Sequence, residues 1–264
     1  MTIIEAIKQR ESVRNYTGQR LSAEQISKIE DFIKANKAPF GINARIEFIR
    51  ANAEEKAVKL GTYGFISGAA DYLALIYEDA PLADEGSAYL FEQVVLFCTQ
   101  LGLGTCWLGG SFNRKDFNNQ IALQENEKIR IVSPIGYKSD KMRFIDSLLK
   151  PKKVRNNPRK AFGAIFFDKD FSVPLTEDKA GIYAQPLEMV RLAPSANNKQ
   201  SWRVVFDNGI LHFYKTASAG FSGIDMGIAL CHFEQSCKEL GISGKLETQN
   251  LPDEKSAKYV ISWC

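Results

Sequence analysis

The chain has 264 residues, 45% of them hydrophobic and 25% charged, with a formal net charge of +3. That balance fits a soluble globular protein of one large or two modest domains. It is too weakly basic for a nucleic-acid-binding face. The longest apolar stretch, "YLFEQVVLFC", carries Glu92 and Gln93 and is too short to span a bilayer. The first residues lack a signal-peptide pattern. Five scattered cysteines (Cys98, Cys106, Cys231, Cys237, Cys264) form no CxxC pair and point to a reducing cytoplasm, without a zinc or disulfide framework.

In chain order, Thr2 with Glu5 reads as a capping box opening the helix "TIIEAIKQR", and Ser22 with Gln25 opens a second helix through Asn36, with Ile26, Ile29 and Ile33 on one face. "ARIEFIR" alternates as a strand. Lys56 to Gly68 is broken by glycines and takes no assignment. "DYLALIYE" reads as a buried strand, and Asp84 to Leu101 as a long helix apolar on most of its circumference. "KIRIVSPIGY" is a strand ending at Gly136. The basic, proline-punctuated stretch from Met142 to Arg159 is the best boundary or crossover, and its dense run from Lys150 to Lys160 reads as a solvated linker.

Beyond it, "QPLEMVRL" is a helix broken at Pro194. "WRVVFDNGILHFYK" holds two alternating runs around Asn208-Gly209, a hairpin signal. Ile224 to Leu240 is another mostly apolar helix, and "KLETQ" and "KYVISW" close the chain as strands. The grouping implies an α+β fold with a mixed or antiparallel sheet. His212 falls on the alternating strand and His232 on the apolar helix, so both read as structural, and no metal site is expected.

The chain also echoes itself. "APFGIN" from Ala38 and "APSANN" from Ala193 share Ala-Pro and an Asn four residues after the proline. "LFEQVVLFCTQLGLGTCWLGG" resembles "ALCHFEQSCKELGISGKLE", both ending an apolar helix in Leu-Gly. Two matches in the same order fit a duplication, although a common turn and a helix-ending glycine could also coincide.

Three segments carry chemistry. Arg10 and Arg14 share one face if the first helix persists, with Ser12 between them, a set suited to a phosphate. The same pattern fits a frayed helix end with exposed arginines. The run Gly102 to Gly110 allows close backbone approach to a planar ligand, but it follows a helix and so fails the dinucleotide-fold pattern. The turn Pro194 to Asn198 offers amides, Ser195 and two carboxamides able to read a heteroaromatic ring. Trp202 behind it is a packing anchor, and Cys106 a small buried apolar side chain.

Together "IIEAIKQRESVRNY", "RLAPSANNKQSW", "LGLGTCWLGGSF" and "IRIVSPIGY" followed by "NPRKAF" resemble the nitroreductase family of FMN flavoproteins over nearly the whole chain. The resemblance implies an α+β, FMN-binding fold, here internally duplicated as an intrachain pseudo-dimer. Residues 1–160 would form a half carrying the phosphate and flavin arm, and residues 161–264 a half carrying the asparagine-rich turn. Arg10, Ser12 and Arg14 would hold the FMN phosphate and one side of the ring. Leu108, Gly109 and Gly110 would lie along the ring, with Arg159 as a late phosphate arginine. Pro194, Ser195, Ala196, Asn197 and Asn198 would cover the flavin. Ser201 stands where many relatives have proline.

The implied activity is a hydride transfer from NAD(P)H through FMN to a nitroaromatic, quinone or similar small-molecule acceptor, with no side chain acting as a strong acid or base. The alternative is an FMN-binding or sensory protein with little turnover. No nucleic-acid or membrane partner is expected. Fusion makes a monomer sufficient without forbidding a homodimer.

Overall fold

The computed structural model describes residues 1–50, 61–140, 158–216, 220–254 and 256–264. Its contacts divide the chain into two units, Met1 with Gln9–Leu149 and Thr2–Lys8 with Lys150–Cys264. Most of the candidate boundary stretch, and residues 56–60 of the unassigned one, lie outside the described residues.

The opening helix α1 (Ile3–Gln9) starts in the expected reciprocal cap: the Glu5 amide donates to Thr2 Oγ1 at 3.2 Å, and the Thr2 amide to Glu5 Oε2 at 2.9 Å. Its turns in the second unit are also anchored there, because Glu239 Oε2 accepts from the Ile3 and Ile4 amides at 2.5 and 3.2 Å. The helix stops at Gln9. The shared helical face expected for Arg10 and Arg14 is therefore absent, since Val13 and Tyr16 are drawn into extended pairing instead.

In the first unit, α2 (Ala23–Ala35) carries its predicted capping box at Ser22 and buries Ile26 and Ile29. The sheet runs in the order β1-β2-β4-β3 and is antiparallel throughout, with β1 at Ala44–Arg50, β2 at Asp71–Tyr77, β3 at Gly104–Thr105 and β4 at Lys128–Gly136. Every residue of β2 is buried, as its unbroken apolar run demands of a strand covered on both faces. The helix α3 (Ala83–Gln100) is buried around most of its circumference, including Glu85, Ser87 and Glu92. The short β3 and the five-residue helix α4 (Arg114–Asn118) are too brief to show a sequence period.

The second unit holds a mixed sheet in the order β5-β6-β7-β9-β8. Here β5 (Phe166–Asp168) runs parallel to β6 (Trp202–Asp207), whereas β7 (Ile210–Thr216), β8 (Leu246–Glu247) and β9 (Ala257–Trp263) join antiparallel. The predicted hairpin closes on Asn208 and Gly209, at φ 49° and 86°, the left-handed pair that a two-residue turn requires. The strand expected over "KLETQ" shrinks to Leu246–Glu247.

After the short α5 (Glu177–Ala180), α6 (Ala184–Leu192) packs on α7 (Ser222–Glu239). Buried His232 directs Nδ1 to the Met189 carbonyl at 3.0 Å, and His212 Nδ1 meets Ser262 Oγ at 2.8 Å, so both histidines are structural. Trp202 is fully buried, as an anchor should be. No helix among the described residues is long and apolar enough to cross a membrane.

Candidate functional site

The arm from Arg10 to Tyr16 is built by pairing across the first unit. Ser12 bridges Thr105 in parallel, and the Val13 amide donates to the Thr105 carbonyl at 2.9 Å. Gly104 permits this approach: a Cβ there would lie 2.7 Å from a Val13 methyl. Further along, the Tyr16 amide donates to the Ser67 carbonyl and the Ser67 amide to the Arg14 carbonyl, each at 2.9 Å. Gly68, at φ 70°, has no room for a side chain, because a Cβ would sit 2.2 Å from the Tyr16 carbonyl oxygen. The Tyr16 hydroxyl, buried and with its pKa pushed far up by that burial, donates to the Val13 carbonyl at 2.9 Å.

Cys106 marks where the arm's charges meet. Burial raises its thiol above the usual range, while the Arg14 and Arg10 guanidiniums and a hydrogen bond from Ser12 pull the other way. All three arm residues thus act on the same thiol without a helix to align them. Arg10 Nε is buried there with no hydrogen-bond partner among the described residues. An orphaned guanidinium donor is costly to bury. It fits a site that a bound anion completes.

The glycine run beside the arm is positioned by both neighbours. Trp107 donates its indole N–H to buried Glu92 at 2.8 Å and meets Phe91 edge-on. Leu108 exchanges both backbone bonds with Val132, at 2.9 and 3.0 Å, so its own amide is spent on the sheet. Gly109 and Gly110 follow with amides that have no acceptor among the described residues, and a Cβ on Gly110 would meet open space. Arg114 lies over the Phe112 ring and donates to the Gly109 carbonyl at 3.3 Å. The loop at Thr62 to Ser67, tied to the arm by the Ser67 bonds, presents exposed Tyr63 and Phe65. These two aromatics escaped sequence reasoning, because the glycine-broken stretch has no period to read.

In the second unit the asparagine turn is held in an unusual backbone. Asn197, Asn198 and Gln200 take φ of 51°, 56° and 49°, a left-handed cluster that L-residues adopt only when their surroundings enforce it. Its bonds are dense. Asn198 N–H donates to the Ser195 carbonyl and Gln200 N–H to Ser195 Oγ, both at 2.9 Å. The Gln200 side chain accepts from the Lys160 amide at 2.7 Å and donates to the Asn198 carbonyl at 3.0 Å. Arg159 donates to the Leu192 and Ala193 carbonyls at 2.8 and 2.6 Å and to Asn198 Oδ1 at 3.0 Å. It therefore caps α6 and braces the turn.

Beneath the turn lies Asp225, on the first turn of α7 and 2% exposed. Its carboxylate accepts from the Ala196 amide at 2.8 Å and from Ser201 Oγ at 3.0 Å. Burial pushes its pKa up to about 6, against the opposing pull of those two hydrogen bonds and of Lys199. In the sequence Asp225 was one acid in an apolar helix, which first-turn electrostatics alone explains.

The arm, the glycine run and the asparagine turn thus stand on an α+β framework of two sheets. The family model described as "Putative TM nitroreductase" matches residues 2–237, so the chain belongs to that family, within the nitroreductase superfamily. It is similar to a crystal structure of a nitroreductase from Thermotoga maritima at 19% identity, covering 99% of this chain and 94% of that one with a TM-score of 0.61, which shows a shared fold. Weaker similarities reach an FMN-dependent nitroreductase from Clostridium difficile (22% identity, 59% of this chain and 99% of that one, TM-score 0.41). They also reach a Desulfovibrio desulfuricans nitroreductase described in complex with FMN (22%, 57% and 96%, 0.40). No curated protein matches the chain.

Proposed function

We propose that this chain is an FMN-dependent oxidoreductase that passes a hydride from NAD(P)H to a nitroaromatic, quinone or similar small acceptor. The carrying observation is the buried Arg10 Nε without a partner among the described residues, on the same arm as Arg14, whose guanidinium donates to the Ser12 carbonyl at 3.4 Å. FMN, when bound, supplies the reversible two-electron chemistry. Arg10, Ser12 and Arg14 bind its anionic groups, and their fixed positive charge favours electron uptake. The Gly109 and Gly110 amides donate to its ring. Within the second unit, Asn197, Asn198 and the backbone of Pro194 to Ala196 form a flavin-binding turn. Exposed Tyr63 and Phe65 supply apolar surface for an aromatic acceptor. The reading includes an ancient duplication, with residues 1–160 and 161–264 as its halves and the turn after the arm decayed to "APFGIN".

Purified protein, reconstituted with FMN, tests the proposal by its flavin absorbance. Bleaching by NADH or NADPH and recovery with a nitroaromatic or quinone is the expected result. Protein that retains FMN but is reduced by neither nicotinamide refutes the oxidoreductase reading. Protein that binds no FMN refutes the flavin site itself.

A further inference from the structure

The asparagine turn poses a physical problem that the proposed function does not solve. Three of its residues sit in left-handed backbone, and one of them, Gln200, is neither Asn nor Gly. The turn's internal hydrogen bonds join neighbours and could persist in a distorted loop. One buried acid grips it on both sides of its left-handed residues. Asp225 accepts the Ala196 amide with Oδ1 and the Ser201 hydroxyl with Oδ2, so the four residues between them are bracketed by a single buried carboxylate. The carboxylate is rigidly placed, because its own amide bonds the Phe221 carbonyl at 2.9 Å in the first turn of α7.

The sequence carries the same message. Aligning the Leu-Gly ends of the two long helices, Gly102 with Gly241, also matches their starts, Ala83 with Ser222, and sets Asp225 against Gly86. The half whose turn has Ile42 in place of Asn197 and Phe40 in place of Ser195 has no acid at that position. Ser201, in turn, supplies the hydroxyl that a proline at its position could not.

We propose that Asp225 is a positioning residue: its carboxylate clamps the asparagine turn through Ala196 N–H and Ser201 Oγ and so presets the backbone that meets the flavin. The part concerning flavin rests on the proposed function, and the clamp itself does not.

The test compares Asp225→Ala and Asp225→Asn by amide hydrogen exchange in the apoprotein and by FMN titration. Exchange is read at Asn198 and Lys199, whose acceptors are Ser195 and Ala196 inside the turn, with the Val204 amide as a control on β6. Asp225→Ala is expected to accelerate Asn198 and Lys199 about tenfold, in line with losing a charge-assisted bond, and to leave Val204 unchanged. Asp225→Asn, which retains a carbonyl acceptor for Ala196, restores both protection and FMN affinity. Unchanged exchange at Asn198 and Lys199 in Asp225→Ala overturns the clamp. Faster exchange with unaltered FMN affinity keeps the clamp and overturns the turn's place among the flavin ligands. Should Asp225→Ala fail to fold, Ser201→Ala removes one of the two bonds alone. A smaller acceleration there supports the clamp, and none overturns it.

Discussion

Asp225 also makes the stability of the apoprotein depend on pH in a way that can be worked out. Its pKa rises from 3.8 to about 6 on folding, chiefly through burial. The folded state therefore prefers the protonated acid. The stability linked to this group is fully present below pH 3.8 and is lost as pH rises through about 6. The difference of about 2.2 pH units corresponds to about 3 kcal/mol, and at 2% exposure solvent screening takes little from it. At neutral pH the ionised clamp is thus an internal strain that its two hydrogen bonds and Lys199 only partly offset.

The assay is urea denaturation of the wild type and of Asp225→Asn between pH 4 and 7. Every other titrating group is common to both proteins and cancels in the difference. The amide cannot ionise, so its stability relative to wild type should climb by about 2.4 kcal/mol across that range, most of the full difference. A difference that stays flat with pH would refute the argument. It would mean that the carboxylate is solvated or that the turn opens around it. A difference that falls with pH would mean that the hydrogen bonds outweigh burial and that Asp225 is a depressed acid.

Other outcomes follow from the same geometry. Arg14→Ala should weaken FMN binding roughly ten- to a hundredfold, the range for a charge-assisted bond, whereas Asn43→Ala on the "APFGIN" turn should leave it unchanged; fluorescence titration decides, and the reverse pattern would show that the flavin contacts lie on other segments. Gly104→Ala places a Cβ 2.7 Å from a Val13 methyl and should lower stability by about 1–3 kcal/mol while releasing flavin, read by denaturation and by flavin content. Gly209→Ala, at φ 86° in the hairpin, should lower stability by about 1 kcal/mol without touching FMN affinity, which makes it a control for damage remote from the ligand segments.

Much of the framework was legible because its signals are local. The period of "ARIEFIR", the apolar run of β2, the capping boxes at Thr2 and Ser22 and the Asn208-Gly209 turn each fix an element from a handful of neighbouring residues. The arm was misread for the opposite reason. The spacing of Arg10 and Arg14 is helical, but Val13 and Tyr16 pair with Thr105 and Ser67, far along the chain, and that pairing extends the segment. Likewise β5 exists only through its parallel partner β6. That Arg159 caps the carbonyls of α6, more than thirty residues on, leaves no mark in the sequence around it. Asp225 acts through Ala196 and Ser201 on another loop, so no pattern within its own helix reveals it.

The two Ala-Pro turns show how one backbone problem takes two solutions. In the first unit, Phe40 and Gly41 carry the left-handed φ values, 65° and 68°, and the Ile42 amide closes on the Pro39 carbonyl at 3.3 Å. The helix beside it approaches through a glycine: a Cβ on Gly86 would lie 2.8 Å from the Ile42 side chain and 2.9 Å from the Pro39 oxygen. That turn is fastened by close contact and needs no buried charge. The second turn keeps its asparagines, spends three non-glycine residues in left-handed backbone and is fastened by a carboxylate whose burial opposes ionisation. The strain at Asp225 is thus the energetic counterpart of a turn held in left-handed backbone, whereas the Phe40–Gly41 turn, fastened by contact with Gly86, carries none of it.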